Sequence, residues 1–467
     1  MNGRGSGHEA GRWNVSRPLV ALIGAAEIGT PGEGMTLKRS LIWVLALVVV
    51  GTLGFFALAH RPEITPVEPP AAAAFSPELI ARGEILAAAG NCESCHTTKD
   101  GRHFAGGLGI GTPFGTIYTS NITPDPASGI GRWSEPAFAR ALHEGVARDG
   151  SHLYPAFPFD HFTRVTDDDV QALYAYLMTR PPVSLVPPAN TVPFPVNIRA
   201  LQWGWKLLFF RPGVYQPDSA RSEAWNRGAY LSDGLAHCAA CHSPRNALGA
   251  SKTGSRAYAG GMVDGWAAPA LTAANTAPLP WTEEDLYGFL RNGGTALHGV
   301  AAGSMSEVVH LGLAKLPDAD LKAIATYFAD MNGAATRGGT VSEVLAKAMS
   351  VSGLDEKEEN DPGASLYIAG CASCHYNSGP APLIARPELA LNSALTAAEP
   401  TNLVQVMLHG IGLKDGAPGL FMPPFAHLSD AEIASLAAYL RRTRTDQPAW
   451  TDLEGKVAAI REPGGGS

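Results

Sequence analysis

Two kinds of apolar pattern run along this chain. The first is an unbroken stretch: residues 40–59, SLIWVLALVVVGTLGFFALA, hold no charge over twenty positions. As a helix rising ~1.5 Å per residue it is ~30 Å long, one hydrocarbon thickness. The second is a helical period of three to four that recurs late in each of three blocks. It is seen in Asp167-Asp168-Asp169-Val170 running to Tyr176-Leu177, in Asp318-Ala319-Asp320-Leu321 running to Tyr327-Phe328, and in Asp430-Ala431-Glu432-Ile433 running to Tyr439-Leu440. Acids at the start of each suit a helix dipole. A middle helix is signalled by Trp133-Ser134-Glu135 and Trp281-Thr282-Glu283, with Ser or Thr as N-cap, and in the third block by Thr401-Asn402-Leu403. A short first helix carries Gly83, Gly228 or Gly363, and the first of these has Ser76 as N-cap and Pro77 at N1. No alternating strand pattern appears, so the fold is predicted to be mainly α.

The uncharged run follows Lys38 and Arg39, which places the N-terminus in the cytoplasm and the rest of the chain outside. It reads as a retained membrane anchor, 35–62. The alternative is a cleaved signal peptide, since Ala57-Leu58-Ala59 resembles an A-x-A site. Residues 1–34 are Gly-rich and patternless, and Met35 opens a more conventional leader, so 1–34 reads as a disordered tail or a misplaced start. The predicted domains are 75–181, 215–332 and 355–446. Between them lie a Pro-rich linker, 181–214, and a second linker, 332–362, that ends in an acidic run over 355–361. The first linker holds Leu201-Gln202-Trp203-Gly204-Trp205 and Leu207-Leu208-Phe209-Phe210. This segment suits packing between the first two domains better than a membrane interface or a quinone site.

Composition narrows the class. With 467 residues, 45% hydrophobic and 17% charged, the chain has material for several cores and is not disordered. Its net charge is −8 and no basic block stands out, so nucleic acid is excluded as a partner. No Walker loop, nucleophile elbow or dinucleotide fingerprint is found, and Gly106-Gly107-Leu108-Gly109 is a loop signal only.

The six cysteines carry the chemistry. All fall in three C-x-x-C-H motifs: Cys92-Glu93-Ser94-Cys95-His96, Cys238-Ala239-Ala240-Cys241-His242 and Cys371-Ala372-Ser373-Cys374-His375. The first cysteines are 146 and 133 positions apart, one domain each. Two thiols at this spacing can form thioethers with the two vinyl groups of one haem, which brings the next His beneath the iron. A redox dithiol does not need the His three times, and zinc would need ligand pairs closer together. Three covalently bound haem c groups are expected, with Cys92, Cys95, Cys238, Cys241, Cys371 and Cys374 as attachment points and His96, His242 and His375 as proximal ligands.

Electron carriers favour six-coordinate iron, and a Met ligand raises the potential. Met305, 63 positions after His242, and Met422, 47 after His375, each precede the last helix of their block. The first block breaks the pattern: about 61 positions after His96 stands Phe157, in Leu153-Tyr154-Pro155-Ala156-Phe157-Pro158-Phe159-Asp160-His161-Phe162. Phe cannot bind iron. Met178 falls in the last helix and reads as packing. His161 is the expected sixth ligand, with His152 and His143 as weaker alternatives. The competing expectation is an iron left open against Phe157, able to bind a small ligand.

The chain resembles the three-haem cytochrome c subunits of bacterial membrane-bound dehydrogenases from about Met35 to residue 445. The resemblance rests on the three haem motifs with Thr112-Pro113-Phe114-Gly115, Asn121-Ile122-Thr123-Pro124-Asp125, Gly129-Ile130-Gly131-Arg132-Trp133-Ser134, Leu153-Tyr154-Pro155-Ala156 and Trp225-Asn226-Arg227-Gly228-Ala229-Tyr230-Leu231. It implies three tandem class I cytochrome c-like domains behind the N-terminal anchor, on the periplasmic face of the inner membrane. It also implies a catalytic dehydrogenase partner with a small iron-sulfur subunit, and electron delivery to ubiquinone or the respiratory chain. Such a subunit relays electrons and does not itself oxidise the substrate. In quinohaem alcohol dehydrogenase subunits the first ligand loop has Met where this chain has Phe157. The Phe-Pro-Phe-Asp-His-Phe form looks more like subunits paired with molybdenum-containing aldehyde or N-heterocycle dehydrogenases. The alternatives are the subunit of a quinohaem alcohol or flavin gluconate dehydrogenase, a stand-alone quinol-to-cytochrome carrier, and a haem enzyme with an open first iron.

Overall fold

A computed structural model describes residues 37–99, 101–333, 341–353 and 360–462. The predicted N-terminal tail and most of the acidic run at 355–361 lie outside the described residues. Helix α1, Leu37–Ala59, has a mean hydropathy of 2.6 and apolar side chains exposed all round. At 23 residues it is long enough to cross a bilayer. Residues from Ala59 onward form a separate compact unit.

That unit is built on a helical plan used three times. The first repeat runs through α2 (Pro77–Ala89), α3 (Cys92–His96), the ribbon β1–β2 (Gly109–Thr112, Gly115–Tyr118), α4 (Glu135–Glu144), α5 (Phe159–Phe162) and α6 (Asp167–Met178). After α7 (Leu201–Phe209), the second runs through α8 (Glu223–Tyr230), α9 (Ala239–His242), β3–β4 (Gly261–Val263, Trp266–Ala268), α10 (Glu283–Asn292), β5–β6 (Gly294–Thr295, Gly299–Val300), α11 (Ser304–Glu307) and α12 (Asp318–Met331). After α13 (Val341–Ser350), the third has α14 (Pro362–Gly370), α15 (Ala372–His375), α16 (Ser393–Thr396), α17 (Thr401–His409) and α18 (Asp430–Arg444), and α19 (Leu453–Arg461) follows. The described strands pair only as three two-stranded antiparallel ribbons, so the fold is mainly α as expected.

Capping explains where these helices start. Ser76, Ser222 and Asp361 accept from the backbone N–H three residues on, opening α2, α8 and α14. Thr282 with Asp285, and Ser429 with Glu432, form capping boxes at α10 and α18. Gly145 and Gly293 end α4 and α10 in the left-handed region.

Each first helix crosses the last helix of its repeat at the glycine singled out by sequence. A Cβ on Gly83 would lie 2.0 Å from the Ala172 carbonyl oxygen, one on Gly228 2.0 Å from that of Ala323, and one on Gly363 2.3 Å from that of Ser435. The next side chain met in each crossing is a tyrosine: Tyr176, Tyr327 or Tyr439. Only glycine permits backbones this close. The first two repeats share one hydrophobic core, which joins Leu173 and Leu177 to Leu231, Leu235 and Ile324. The third has its own, around Tyr367, Leu395, Val404 and Leu436.

The first linker packs between the first two repeats. The Trp205 ring meets Phe159 edge-on at 6.0 Å and its Nε1 donates to the Leu248 carbonyl at 2.9 Å, while Phe210 meets Phe159 at 5.2 Å. Lys206 is buried and donates to the carbonyls of Glu144 (2.6 Å) and Gly145 (2.7 Å) and to Nδ1 of His152 (3.0 Å). The second linker is not irregular throughout: it contains α13, whose Ala348 packs on Leu279, Ala390 and Leu391.

Candidate cofactor-binding sites

In each repeat the C-x-x-C-H segment is one tight helical turn after the first helix. Asn91 (φ 51°) and His237 (φ 39°) turn the chain through the left-handed region before Cys92 and Cys238. One turn sets the two cysteines at i and i+3 on one face with the His beside them. All six cysteines are free thiols. Burial pushes Cys92 and Cys238 up to about 12 and Cys371 up to about 11, and raises Cys95 and Cys241. These are protonated thiols in apolar surroundings, unlike the low-pKa cysteines of a redox dithiol.

The three histidines share one arrangement. Nδ1 of His96 lies 2.6 Å from the Ser120 carbonyl oxygen, Nδ1 of His242 2.7 Å from that of Pro269, and Nδ1 of His375 3.1 Å from that of Pro387. A carbonyl only accepts, so each Nδ1 carries the proton and donates, and each Nε2 keeps a free lone pair. Burial lowers the pKa of all three, which keeps the imidazoles neutral. A neutral ring oriented through its second nitrogen is what a metal-ligating His requires. The carbonyl partners are 12–27 positions away in sequence, and nothing in the motif itself points to them.

The first and third repeats also match known families by sequence. The cytochrome c family matches residues 80–181, and the family described as cytochrome c oxidase, cbb3-type, subunit III matches residues 358–440. The chain is 39% identical to the fructose dehydrogenase cytochrome subunit of Gluconobacter japonicus, over 80% of this chain and 81% of that one. It is 36% identical to the gluconate 2-dehydrogenase cytochrome c subunit of Pantoea cypripedii, over 90% and 95%. The chain belongs to the family of dehydrogenase cytochrome c subunits. It is also 46% identical to a subunit of the nicotinate dehydrogenase of Pseudomonas putida over 95% of its own length, but spans only 38% of that longer protein. Membership makes this an electron-transfer subunit with haem c as its cofactor. The residues present fit that group: paired thiols beside a neutral His whose Nε2 is free.

Cys238, Cys241, His242 and Met305 line a cavity of about 510 Å³ that continues without a break to Cys371, Cys374, His375 and Met422. The two methionine segments hold each other. Nε2 of His310 lies 2.5 Å from the Gly416 carbonyl oxygen, and Ser306 Oγ 3.3 Å from Asp415. Met305 sits in the short helix α11, not in an open loop. Met422 is fixed by two 2.9 Å backbone hydrogen bonds with Ile411.

The first repeat differs. Phe157 packs edge-on against Phe162 at 5.2 Å. Nδ1 of His161 lies 3.0 Å from the Asp233 carbonyl oxygen in the second repeat, and its ring is 6.5 Å from that of His237. No described contact joins His161 to Cys92, Cys95 or His96. Both nitrogens of His152 are occupied: Nε2 donates to the Ala59 carbonyl at 2.8 Å and Nδ1 accepts from Lys206. Nε2 of His143 lies 3.0 Å from the Val165 carbonyl oxygen. Met178 is 4% exposed within the core, a packing residue.

Proposed function

We propose that the chain carries three haem c groups in domains spanning about 75–181, 215–332 and 355–446, and relays electrons from a catalytic dehydrogenase subunit to ubiquinone or the respiratory chain on the periplasmic face of the inner membrane. The observation that carries this reading is the threefold turn in which two free thiols adjoin a neutral His anchored through Nδ1. When bound, haem c supplies one-electron chemistry, which splits a two-electron oxidation into single steps. Cys92, Cys95, Cys238, Cys241, Cys371 and Cys374 hold it by adding their S–H across its vinyl groups. His96, His242 and His375 would hold its iron through Nε2.

Met305 and Met422 supply the sixth donors of the second and third sites. His161 supplies that of the first. Its Nδ1 rests on a backbone carbonyl, as in the proximal histidines, which leaves Nε2 as the donor. The partner we propose is a catalytic subunit oxidising an aldehyde or an N-heterocycle, with a small iron-sulfur subunit. The nicotinate dehydrogenase relative, at 46% identity, supports the N-heterocycle branch. The other relatives keep fructose, gluconate and alcohol dehydrogenases as alternative partners. A second reading, a gas- or peroxide-reactive first site, is favoured by one observation: Phe157 stands where a donor is needed.

The test is to solubilise the complex in detergent, count haem per chain by pyridine haemochrome, and identify the cofactor of the co-purifying subunit. Three haems per chain with a molybdopterin-bearing partner are expected. A chain without covalent haem sinks the proposal. Carbon monoxide binding to the ferrous complex, unchanged by His161→Ala, moves the first site to the second reading.

A further inference from the structure

One buried polar side chain in the cavity lined by the second and third repeats has no part in the roles assigned above. His298 precedes Gly299 at the start of β6, and its side chain is only 1% exposed. Its ring stacks on Trp281 with centroids 3.8 Å apart and planes 16° from parallel. Nε2 pairs with a carboxylate oxygen of Asp285 at 3.4 Å, and Nδ1 has no partner. Both His298 and Trp281 line the cavity shared with Cys238, Cys241, His242 and Met305.

The surroundings hold this ring firmly. Asp285 is fixed in the capping box of α10. Asn332, at the end of α12, donates from Nδ2 to the Trp281 carbonyl at 2.9 Å and leaves its own Oδ1 without a partner. Buried side-chain nitrogens are nearly always paired. An imidazole clamped between an indole and a carboxylate, with Nδ1 unpaired, is placed to meet a polar group within the cavity.

We propose that His298 is a haem-positioning residue that donates a hydrogen bond to a propionate carboxylate of the haem held by Cys238, Cys241 and His242. The inference rests on the haem reading above and deepens it. It follows by elimination among the polar parts of haem. His242 and Met305 would hold its iron, and the two cysteines would hold its vinyl groups. The rest of the ring is apolar, so the propionates alone remain to engage a buried N–H. Asp285 occupies the Nε2 side, which leaves Nδ1 as the nitrogen available to a second carboxylate.

The first repeat lacks this contact. Leu153 N to Gly145 O and Ala301 N to Gly293 O are equivalent 2.8 Å bonds, so five residues past each glycine stand Gly150 and His298. Gly150, at φ 86°, has no side chain to offer.

The experiment uses full-length protein exported and matured with haem, comparing wild type with His298→Ala and with His298→Phe, which keeps the stack on Trp281. Haem per chain is counted first, and each centre is then titrated potentiometrically. Removing the donor leaves the propionate charge uncompensated and favours the ferric state. One of the three centres should shift about tenfold in its reduction equilibrium, ~59 mV downward for a one-electron couple. Both variants should shift alike, and the propionate-bending band in resonance Raman should move with them. Unchanged potentials and an unchanged band, with three haems attached, overturn the proposal while leaving the haem reading intact. So does a shift in His298→Ala that His298→Phe abolishes, because that marks packing. A low-spin signal that survives Met305→Ala but is lost in Met305→Ala/His298→Ala makes His298 an iron ligand instead, and also overturns it. Wild type without covalent haem fails the underlying reading, a result told apart by the first measurement.

Discussion

The ligand segments of the first and second repeats start from the same scaffold and end in different chemistry. Both leave a left-handed glycine, Gly145 or Gly293, and return to it with the same 2.8 Å backbone bond from Leu153 or Ala301. Four residues further on, one repeat presents Phe157 and the other Met305. The first segment then fills its space with rings: Phe157 on Phe162, and Phe159 under Trp205 and Phe210. The second turns its Ser306 and His310 towards Asp415 and Gly416 of the third repeat. The backbone plan fixes where a sixth donor would stand, and one side chain decides whether there is one. The neighbours of each loop then determine what it packs against: the linker helix in one case, the next repeat in the other.

The largest expected effect comes from breaking the shared scaffold itself. Gly83→Val or Gly228→Val drives a branched side chain into a carbonyl that a bare Cβ already meets at 2.0 Å. Neither helix crossing can absorb that, so each variant should fail to accumulate as haem-stained protein. Gly83→Ala and Gly228→Ala should each cost about 3 kcal/mol or more in urea unfolding. Equal losses in the two repeats would confirm that the crossings are equivalent. A neutral Gly228→Ala would show that they are not.

Exchanging the ligands tests the comparison directly. Phe157→Met should give the first site a sulfur donor and raise its potential, and Met305→Phe should remove one from the second and lower it. Shifts of roughly 0.1–0.2 V are expected, a fraction of the range of roughly 0.8 V that axial ligands span. Potentiometric titration followed by absorption and EPR reads both. His161→Ala should turn one low-spin signal high-spin. If Phe157→Met leaves all potentials unchanged, the two loops do not place residue 157 and residue 305 alike.

The residues preceding the motifs differ in a way that pH exposes. Asn91 and His237 occupy the same left-handed position, but His237 is buried and desolvation pulls its pKa down to about 4. Above pH ~6.5 the ring is neutral in folded and unfolded chains alike and contributes nothing. As pH falls below ~6.5, the unfolded chain takes up a proton that the folded one refuses, so stability drops by about 1.4 kcal/mol per pH unit until about pH 4. His237→Asn borrows the residue of the first repeat and tolerates the same φ. Between pH 7 and pH 4.5 it should lose about 2–3 kcal/mol less than wild type in urea unfolding. Parallel pH profiles for the two proteins would show that the ring is not shielded from protons.

Much of the plan was legible from periodicity, because crossing glycines, caps and the three motifs are local signals. The mainly α fold, the helix starts at Pro77 and Thr401, and the packing role of Met178 all follow from residue type and spacing. Helix α13 was also written in the sequence, as Val341, Val344, Leu345 and Ala348 at helical spacing, but the Pro- and acid-rich segments around it read as linker. Three features had no local signal. The carbonyls that orient His96, His242 and His375 are ordinary backbone groups on distant loops. The shared core of the first two repeats depends on tertiary packing, not on either repeat's own pattern. The buried Lys206, in an otherwise apolar helix, becomes intelligible only once the carbonyls at the end of α4 and the ring of His152 are seen to accept its protons.

The smallest expected difference concerns the ion pairs at the two crossings. Arg82 pairs with Asp169 at 2.5 Å, and Arg227 with Asp320 at 2.8 Å, in corresponding places on the first and last helices. The Asp169 side chain is 4% exposed and also accepts from Tyr230 Oη of the second repeat at 2.5 Å, whereas the Asp320 side chain is 15% exposed and bonds only Arg227 among the described contacts. Both arginines are substantially exposed, which screens the charge–charge part of each pair. The asymmetry must then come from the hydroxyl of Tyr230, half of whose hydrogen bonding is lost when Asp169 no longer accepts. Asp169→Ala should cost about 1–2 kcal/mol and Asp320→Ala about 0.5–1 kcal/mol. Combining Asp169→Ala with Tyr230→Phe should add less than the sum of the two, because the removed partners share one bond. Strict additivity in that double-mutant cycle would mean that the tyrosine bond does not tie the first two repeats together.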